Sequence, residues 1–249
     1  VKHPAIMHPS LFVLRMSEPV SDTSGGNNKF AGFHIRTGAM SEYDQARVNF
    51  ADEVRAVMVE LLSTSASIDD IASAHKFVAS AVALLKQREH DDTFEGPGEA
   101  ALATIGSFLD RSPLIGAINP LAVPMRISTL RDGTGETVAI GTVCFGAAYE
   151  GPPGCVHGGF IAAAFDEVLG VAQSLSGNPG MTVNLAIDYR SPTPLSQPLE
   201  FRGRIKQVEG RKIFTIGTLH HGDTLCAEAS GLFISMRPEV FERLLKIRQ

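Results

Sequence analysis

Cysteine is scarce in this chain. The three present, Cys144, Cys155 and Cys226, are widely spaced and odd in number, and no CxxC pair occurs. That pattern suggests neither a disulfide framework nor a zinc site, and no metal or cofactor is expected. Long apolar runs are missing too. No window approaches the roughly 18 consecutive apolar residues of a membrane-crossing helix, so no membrane span is expected. The segment from Val1 carries neither a basic stretch nor an apolar signal core, which together with the scarce cysteine leads to the expectation of a cytoplasmic protein. A positive balance is missing from the front half of the chain, which makes it a poor nucleic-acid surface. From Glu42 to Glu99 there are 12 acidic and 5 basic residues, within a net charge of -5, so no nucleic-acid partner is expected. The balance reverses from Arg190 to Gln249, with 10 basic and 6 acidic residues. That excess suits an anionic small molecule, or equally a solvated strand edge decorated with Arg and Lys.

What is present reads as globular. Of 249 residues, 44% are hydrophobic and 20% charged, close to ordinary soluble usage and ample for a core. Residues 1–40 mix Pro, Gly, Ser and Asn without periodicity and are read as mostly irregular. Ser41 precedes Val54, Val57, Met58, Leu61 and Leu62 at helical spacing. Ser67 opens a second such pattern with Ile71, Val78, Val82 and Leu85. A shorter helix is expected from Glu99 to Leu109, ending ahead of Ser112 and Pro113. Three prolines between Pro113 and Pro124 then change the texture of the chain. The expected organisation is an irregular segment 1–40, a helical extension 41–120 and a domain 121–249. No internal repeat is evident.

Beyond that boundary the pattern becomes β. Met125 to Leu130, a turn at Asp132-Gly133 and Thr137 to Phe145 predict a hairpin. From His157 to about Leu175 a run is apolar nearly all round, which predicts a buried helix. Four strands are expected next, Met181 to Tyr189, Leu199 to Val208, Lys212 to His220 and Thr224 to Met236, with neighbours paired antiparallel through short connections. Two strands, one buried helix and four more strands describe an α+β sheet wrapped around a central helix.

Asp166 interrupts that apolar helix, among Phe160, Ala163, Phe165, Val168 and Leu169. A buried carboxylate costs several kcal/mol without partners, so Asp166 has either a chemical task or a polar contact to a neighbouring strand or subunit. Glu167 points roughly 100° away and is read as a solvated or helix-edge charge. At the helix start, Gly158 and Gly159 leave space for a ligand near free N–H groups and the positive end of the helix dipole. Tight-turn glycines are the alternative reading. His157 is a ligand, a base or a cap.

The segments YEGPPGCVHGGFIAAAFDEVLG, MTVNLAIDYRSPTPL, GRKIF and AEASGLFISM, in that order, resemble the PaaI and THEM4-like branch of the hotdog thioesterase superfamily over roughly residues 121 to 237. The resemblance implies a hotdog fold, at least a dimer, and hydrolysis of an acyl-CoA thioester to acid and CoA. Carried over by position, it implies that Gly158 presents its N–H to the thioester carbonyl. It makes Asp166 the general base or nucleophile and Thr182 the hydroxyl that positions water. Gly151 stands where some relatives carry an Asn, so that side chain's contribution is absent or replaced. Arg211 and Lys212 fall where relatives meet CoA phosphates, with Arg190 a weaker candidate; two solvated turn charges are the alternative. Small residues Ala162 to Ala164 leave room for an acyl chain beside the helix.

Eight residues separate Gly158 from Asp166, about 12 Å of helical rise, so one carbonyl cannot touch both groups of one helix. Antiparallel helices meeting across a two-fold axis bring one subunit's Gly158 to the other's Asp166. A homodimer or dimer of dimers is therefore expected, with acyl-CoA as substrate. The alternatives are a non-catalytic acyl-CoA sensor, which the acidic N-terminal helices disfavour as a DNA-binding regulator, and a hotdog dehydratase or hydratase. The sequence assigns no function to the helices between 41 and 110; covering the sheet or a substrate tunnel and mediating oligomerisation are equal alternatives.

Overall fold

The computed structural model describes residues 40–87, 111–123, 125–177, 180–235 and 237. The helix expected from Glu99 to Leu109 and nearly all of the irregular segment 1–40 lie outside the described residues. Two helices come first, α1 (Glu42–Ser63) and α2 (Ile68–Lys86). Each begins where a serine supplies the missing acceptor. Ser41 accepts from the Asp44 N–H, and Ser67 forms a reciprocal capping box with Asp70. Their apolar stripes are mostly uncovered, for no residue of α2 is buried and Ala51 alone is buried in α1.

The remainder is a six-stranded sheet around one helix, the hotdog arrangement. The strands are β1 (Arg126–Arg131), β2 (Thr137–Val143), β3 (Gly180–Tyr189), β4 (Leu199–Glu209), β5 (Lys212–His221) and β6 (Thr224–Ser235). The helix is α3 (Gly158–Ser174), and the sheet order is β1-β2-β4-β5-β6-β3, antiparallel throughout. One expectation is corrected here: β3 does not pair with its sequence neighbour β4. The connection between them carries Pro192, Pro194 and Pro198, which lack the N–H that a ladder needs. It crosses the sheet instead, leaving β3 on the far edge beside β6. The β1–β2 turn also differs, running from Asp132 to Glu136 with Gly135 in the left-handed region.

The core lies between α3 and the concave face of the sheet. Phe165, Val168, Leu169 and Ala172 of α3 are fully enclosed there with Phe201, Ile213 and Leu219. Phe165 meets Phe201 edge to face at 5.0 Å. Burying each such large side chain contributes about 1.5–3 kcal/mol. Close approach of helix to sheet depends on Gly203 of β4, where a Cβ would lie 3.0 Å from Val168 and 3.2 Å from Leu169. Arg55 of α1 ties the extension to the segment ahead of β1. Its guanidinium donates to the carbonyls of Gly116, Ala117, Asn119 and Ala122.

Candidate active site

The loop entering α3 is a small braced hairpin. The His157 N–H donates to the Tyr149 carbonyl at 2.9 Å, Gly151 N–H to Cys155 C=O at 2.9 Å, and Val156 N–H to Thr193 C=O at 2.9 Å. Gly151 sits so tightly across this hairpin that a Cβ there would lie 2.7 Å from the His157 Cα. The backbone contact leaves no room for the Asn that some relatives carry at this position.

His157 is the cap of α3. Its Nδ1 accepts from the Gly159 N–H at 3.0 Å, which requires a lone pair on Nδ1 and puts the proton of the neutral ring on Nε2. Of the three roles left open by the sequence, the structure displays the capping one. Gly159, expected at the substrate, thus spends its N–H on the cap. The Gly158 N–H has no acceptor among the described residues, while the Gly158 carbonyl accepts from the Tyr189 hydroxyl at 2.8 Å. An unpaired N–H at the positive end of a helix is suited to an oxygen that gains negative charge.

Asp166 is half-buried rather than enclosed, and its Oδ1 accepts from the Thr182 hydroxyl at 2.8 Å. Thr182 reaches it through a bulge. The β3–β6 register shifts between Thr182 and Asn184, so Val183 is extra. Without the bulge, alternation would point Thr182 away from the side used by Leu185, Ile187 and Tyr189. With it, Thr182 and Tyr189 both bond to α3, at its middle and at its start, while Leu185 and Ile187 pack against the core. Tyr189 was not singled out from the sequence, where it reads as an ordinary strand residue. The one available signal was its place before Arg190 in the quoted YRSP stretch.

Glu167 corrects the reading of a solvated charge. It accepts from the Ser112 hydroxyl at 3.1 Å, and Ser112 in turn accepts from the N–H groups of Leu114 and Ile115. Burial pushes the Glu167 carboxyl above its usual range; the Ser112 bond opposes this, and the nearby Asp166 charge adds to it. The segment 112–123 therefore covers the flank of α3 bearing Phe160, Ala164 and Glu167. The gap left there, lined by Leu114, Val123, Met125, Phe145, Phe160 and Ala164, is only about 10 Å³, room for one water. Ala164 thus offers no acyl channel, whereas Ala162 and Ala163 remain half-buried on the open flank.

Among the basic candidates, Lys212 is exposed at the start of β5. Arg211 donates from Nε and Nη2 to its own chain at Ser235 C=O, 3.0 and 2.8 Å. Arg190 is held by Glu228 at 2.8 Å and Asp188 at 3.3 Å, which leaves it the poorest anion ligand of the three. No group of three or more His, Cys, Asp or Glu side chains able to hold a metal occurs among the described residues.

The thioesterase superfamily model matches residues 153–228, which contain Gly158, Asp166 and Thr182. A solved thioesterase superfamily protein superposes with a TM-score of 0.67 at 30% identity, covering 80% of this chain and 98% of that one. The chain belongs to the thioesterase superfamily. Among curated relatives, it is similar to acyl-coenzyme A thioesterase THEM4 of Xenopus laevis, 38% identical over 95 residues, and of Mus musculus, 40% identical over 96 residues. These matches take in 37% and 38% of this chain and 43% and 41% of the relatives, so the chain spans less than half the length of either.

Proposed function

We propose that this protein hydrolyses acyl-CoA thioesters to a free carboxylic acid and CoA. The observation that carries the reading is the Thr182 hydroxyl on the Asp166 carboxylate, a contact between a helix acid and a strand hydroxyl at 2.8 Å. A carboxylate held by a hydroxyl can orient a water and take its proton as the water adds to the thioester carbon, or can attack that carbon itself. In either course the carbonyl oxygen becomes anionic, and the unpaired Gly158 N–H is suited to stabilise it. Collapse expels the CoA thiolate, and thiolates leave readily, so no strong acid is demanded. In the base course the thiolate takes up the proton that Asp166 received from water; in the nucleophile course Asp166 is left as a mixed anhydride, which a water cleaves to the free acid and the Asp166 carboxyl, whose proton then passes to the thiolate. The THEM4 relatives, named as acyl-CoA thioesterases, support the substrate class.

Two copies are needed, since Gly158 and Asp166 of one helix lie about 12 Å apart. We assign the contact to β3. It is an edge strand, and Met181, Val183 and Tyr189 on it are exposed. Joining two β3 edges about a two-fold axis gives a homodimer, or a dimer of dimers, with two equivalent sites. Lys212, with the free part of the Arg211 guanidinium, is assigned to the CoA phosphates. A cytoplasmic location is supported by the three free cysteines.

The test is thiol release from a panel of acyl-CoAs by the wild type, Asp166→Asn, Asp166→Ala and Lys212→Ala. Loss of about a hundredfold or more in kcat is expected for both Asp166 variants. Lys212→Ala is expected to raise KM, by an amount that shrinks as salt is added. Folded Asp166 variants that still turn over would remove the mechanism. A wild type that binds acyl-CoA tightly but never cleaves it would make the domain a sensor instead.

A further inference from the structure

We infer that Tyr189 is a positioning residue that holds the turn Gly158–Gly159 so that the free Gly158 N–H keeps a fixed direction. The inference rests on the assignment of that N–H to the thioester carbonyl. Two consecutive glycines at a helix start have little intrinsic preference for one backbone conformation, so they gain from groups that hold them beyond the helix bonds which the His157 carbonyl accepts from Phe160 and Ile161. Two side chains do so. Tyr189 Oη donates to the Gly158 carbonyl at 2.8 Å, and the same peptide unit donates through the Gly159 N–H to His157 Nδ1 at 3.0 Å.

The result is a relay, hydroxyl to carbonyl and amide to imidazole, in which each bond polarises the next. Pinning the Gly158–Gly159 peptide from both sides fixes ψ of Gly158 and hence the angle to the preceding peptide, whose N–H is unpaired. Tyr189 also occupies the volume beside Gly158, for a Cβ there would lie 3.1 Å from its hydroxyl oxygen. The bulge at Val183 lets one edge strand serve both the middle and the N-terminus of α3, Thr182 at the carboxylate and Tyr189 at the first turn.

The experiment compares wild type with Tyr189→Phe, which keeps the ring and removes the donor, with Tyr189→Ala as a second variant. Backbone amide NMR signals of Gly158 and Gly159 are followed beside steady-state hydrolysis. Tyr189→Phe is expected to move both amide signals and to lower kcat about threefold to tenfold, the range for one hydrogen bond, with KM and thermal unfolding unchanged. Tyr189→Ala moves the signals further. Unmoved glycine signals in Tyr189→Phe overturn the inference whatever the activity, as does an unchanged kcat in an active enzyme. A wild type that hydrolyses no acyl-CoA defeats the functional reading alone, and the glycine signals then decide whether Tyr189 fixes the turn.

Discussion

The Thr182 hydroxyl of an edge strand bonds to the Asp166 carboxylate of the central helix at 2.8 Å, across 16 positions of sequence. An acid that must face its substrate in one orientation gains that orientation from such a donor. Hydrogen bonds to charged groups contribute more than neutral ones, and an exposed one sits at the low end. Thr182→Val keeps the shape of the side chain and removes the donor, and it is expected to lower kcat roughly tenfold. Thr182→Ser keeps the hydroxyl and is expected to stay within about twofold of wild type. Equal rates for the Val and Ser variants, measured as thiol release, would show that the hydroxyl does nothing for the reaction.

Glu167 supplies a prediction about pH. Burial raises its carboxyl above the ordinary value of 4.5, against the opposing Ser112 bond and with help from the Asp166 charge. Below that ordinary value both folded and unfolded chains hold the proton, and the residue contributes no pH dependence. As pH rises through the window from 4.5 to the raised value, the unfolded chain releases its proton first, so the folded form loses stability. Above the window the deficit is constant. Glu167→Gln keeps an acceptor for Ser112 without the charge. It is expected to be more stable than wild type near neutral pH, with the advantage vanishing near about pH 4. Thermal unfolding across that range checks it, and a gain that is the same at both ends would exclude the ionisation.

The architecture was largely legible in the sequence because its elements carry strong periods. The run from His157 to Leu175 and the strands after it stand out by apolar pattern, and α1 and α2 begin at the serines that cap them. Strand order was less legible. Short connections suggested neighbours, yet β3 lies at the far edge because three prolines carry the chain across the sheet. Within the site, the sequence suggested Asp166 and Gly158 from helix context, but Thr182 entered by resemblance alone. Strict alternation along β3 would have turned Thr182 away, and no local signal announces the bulge at Val183. Glu167 was misread for a related reason. Its angle from Asp166 follows from helix geometry, but its surroundings come from Ser112, 55 positions earlier in the chain.

Arg55 shows how such a long-range contact can be tested. It is 86% shielded at the side chain, and its Nε and Nη2 reach four backbone carbonyls between Gly116 and Ala122 at 2.8 to 3.3 Å. Its partner Asp52 on the same helix remains 64% exposed. The two interactions should therefore differ sharply in worth. Exposed ion pairs contribute about 0–1 kcal/mol, whereas a shielded guanidinium that satisfies several carbonyls contributes about 1.5–3 kcal/mol through those bonds. Arg55→Ala is expected to lower stability by that larger amount and to speed proteolytic cleavage of the segment ahead of β1. Arg55→Lys is expected to recover little of it, since a single ammonium cannot span the carbonyls that the planar fork reaches. Asp52→Ala should leave thermal unfolding and cleavage nearly as in wild type. Equal losses in Arg55→Ala and Asp52→Ala would mean that the carbonyl contacts add nothing beyond the ion pair within α1.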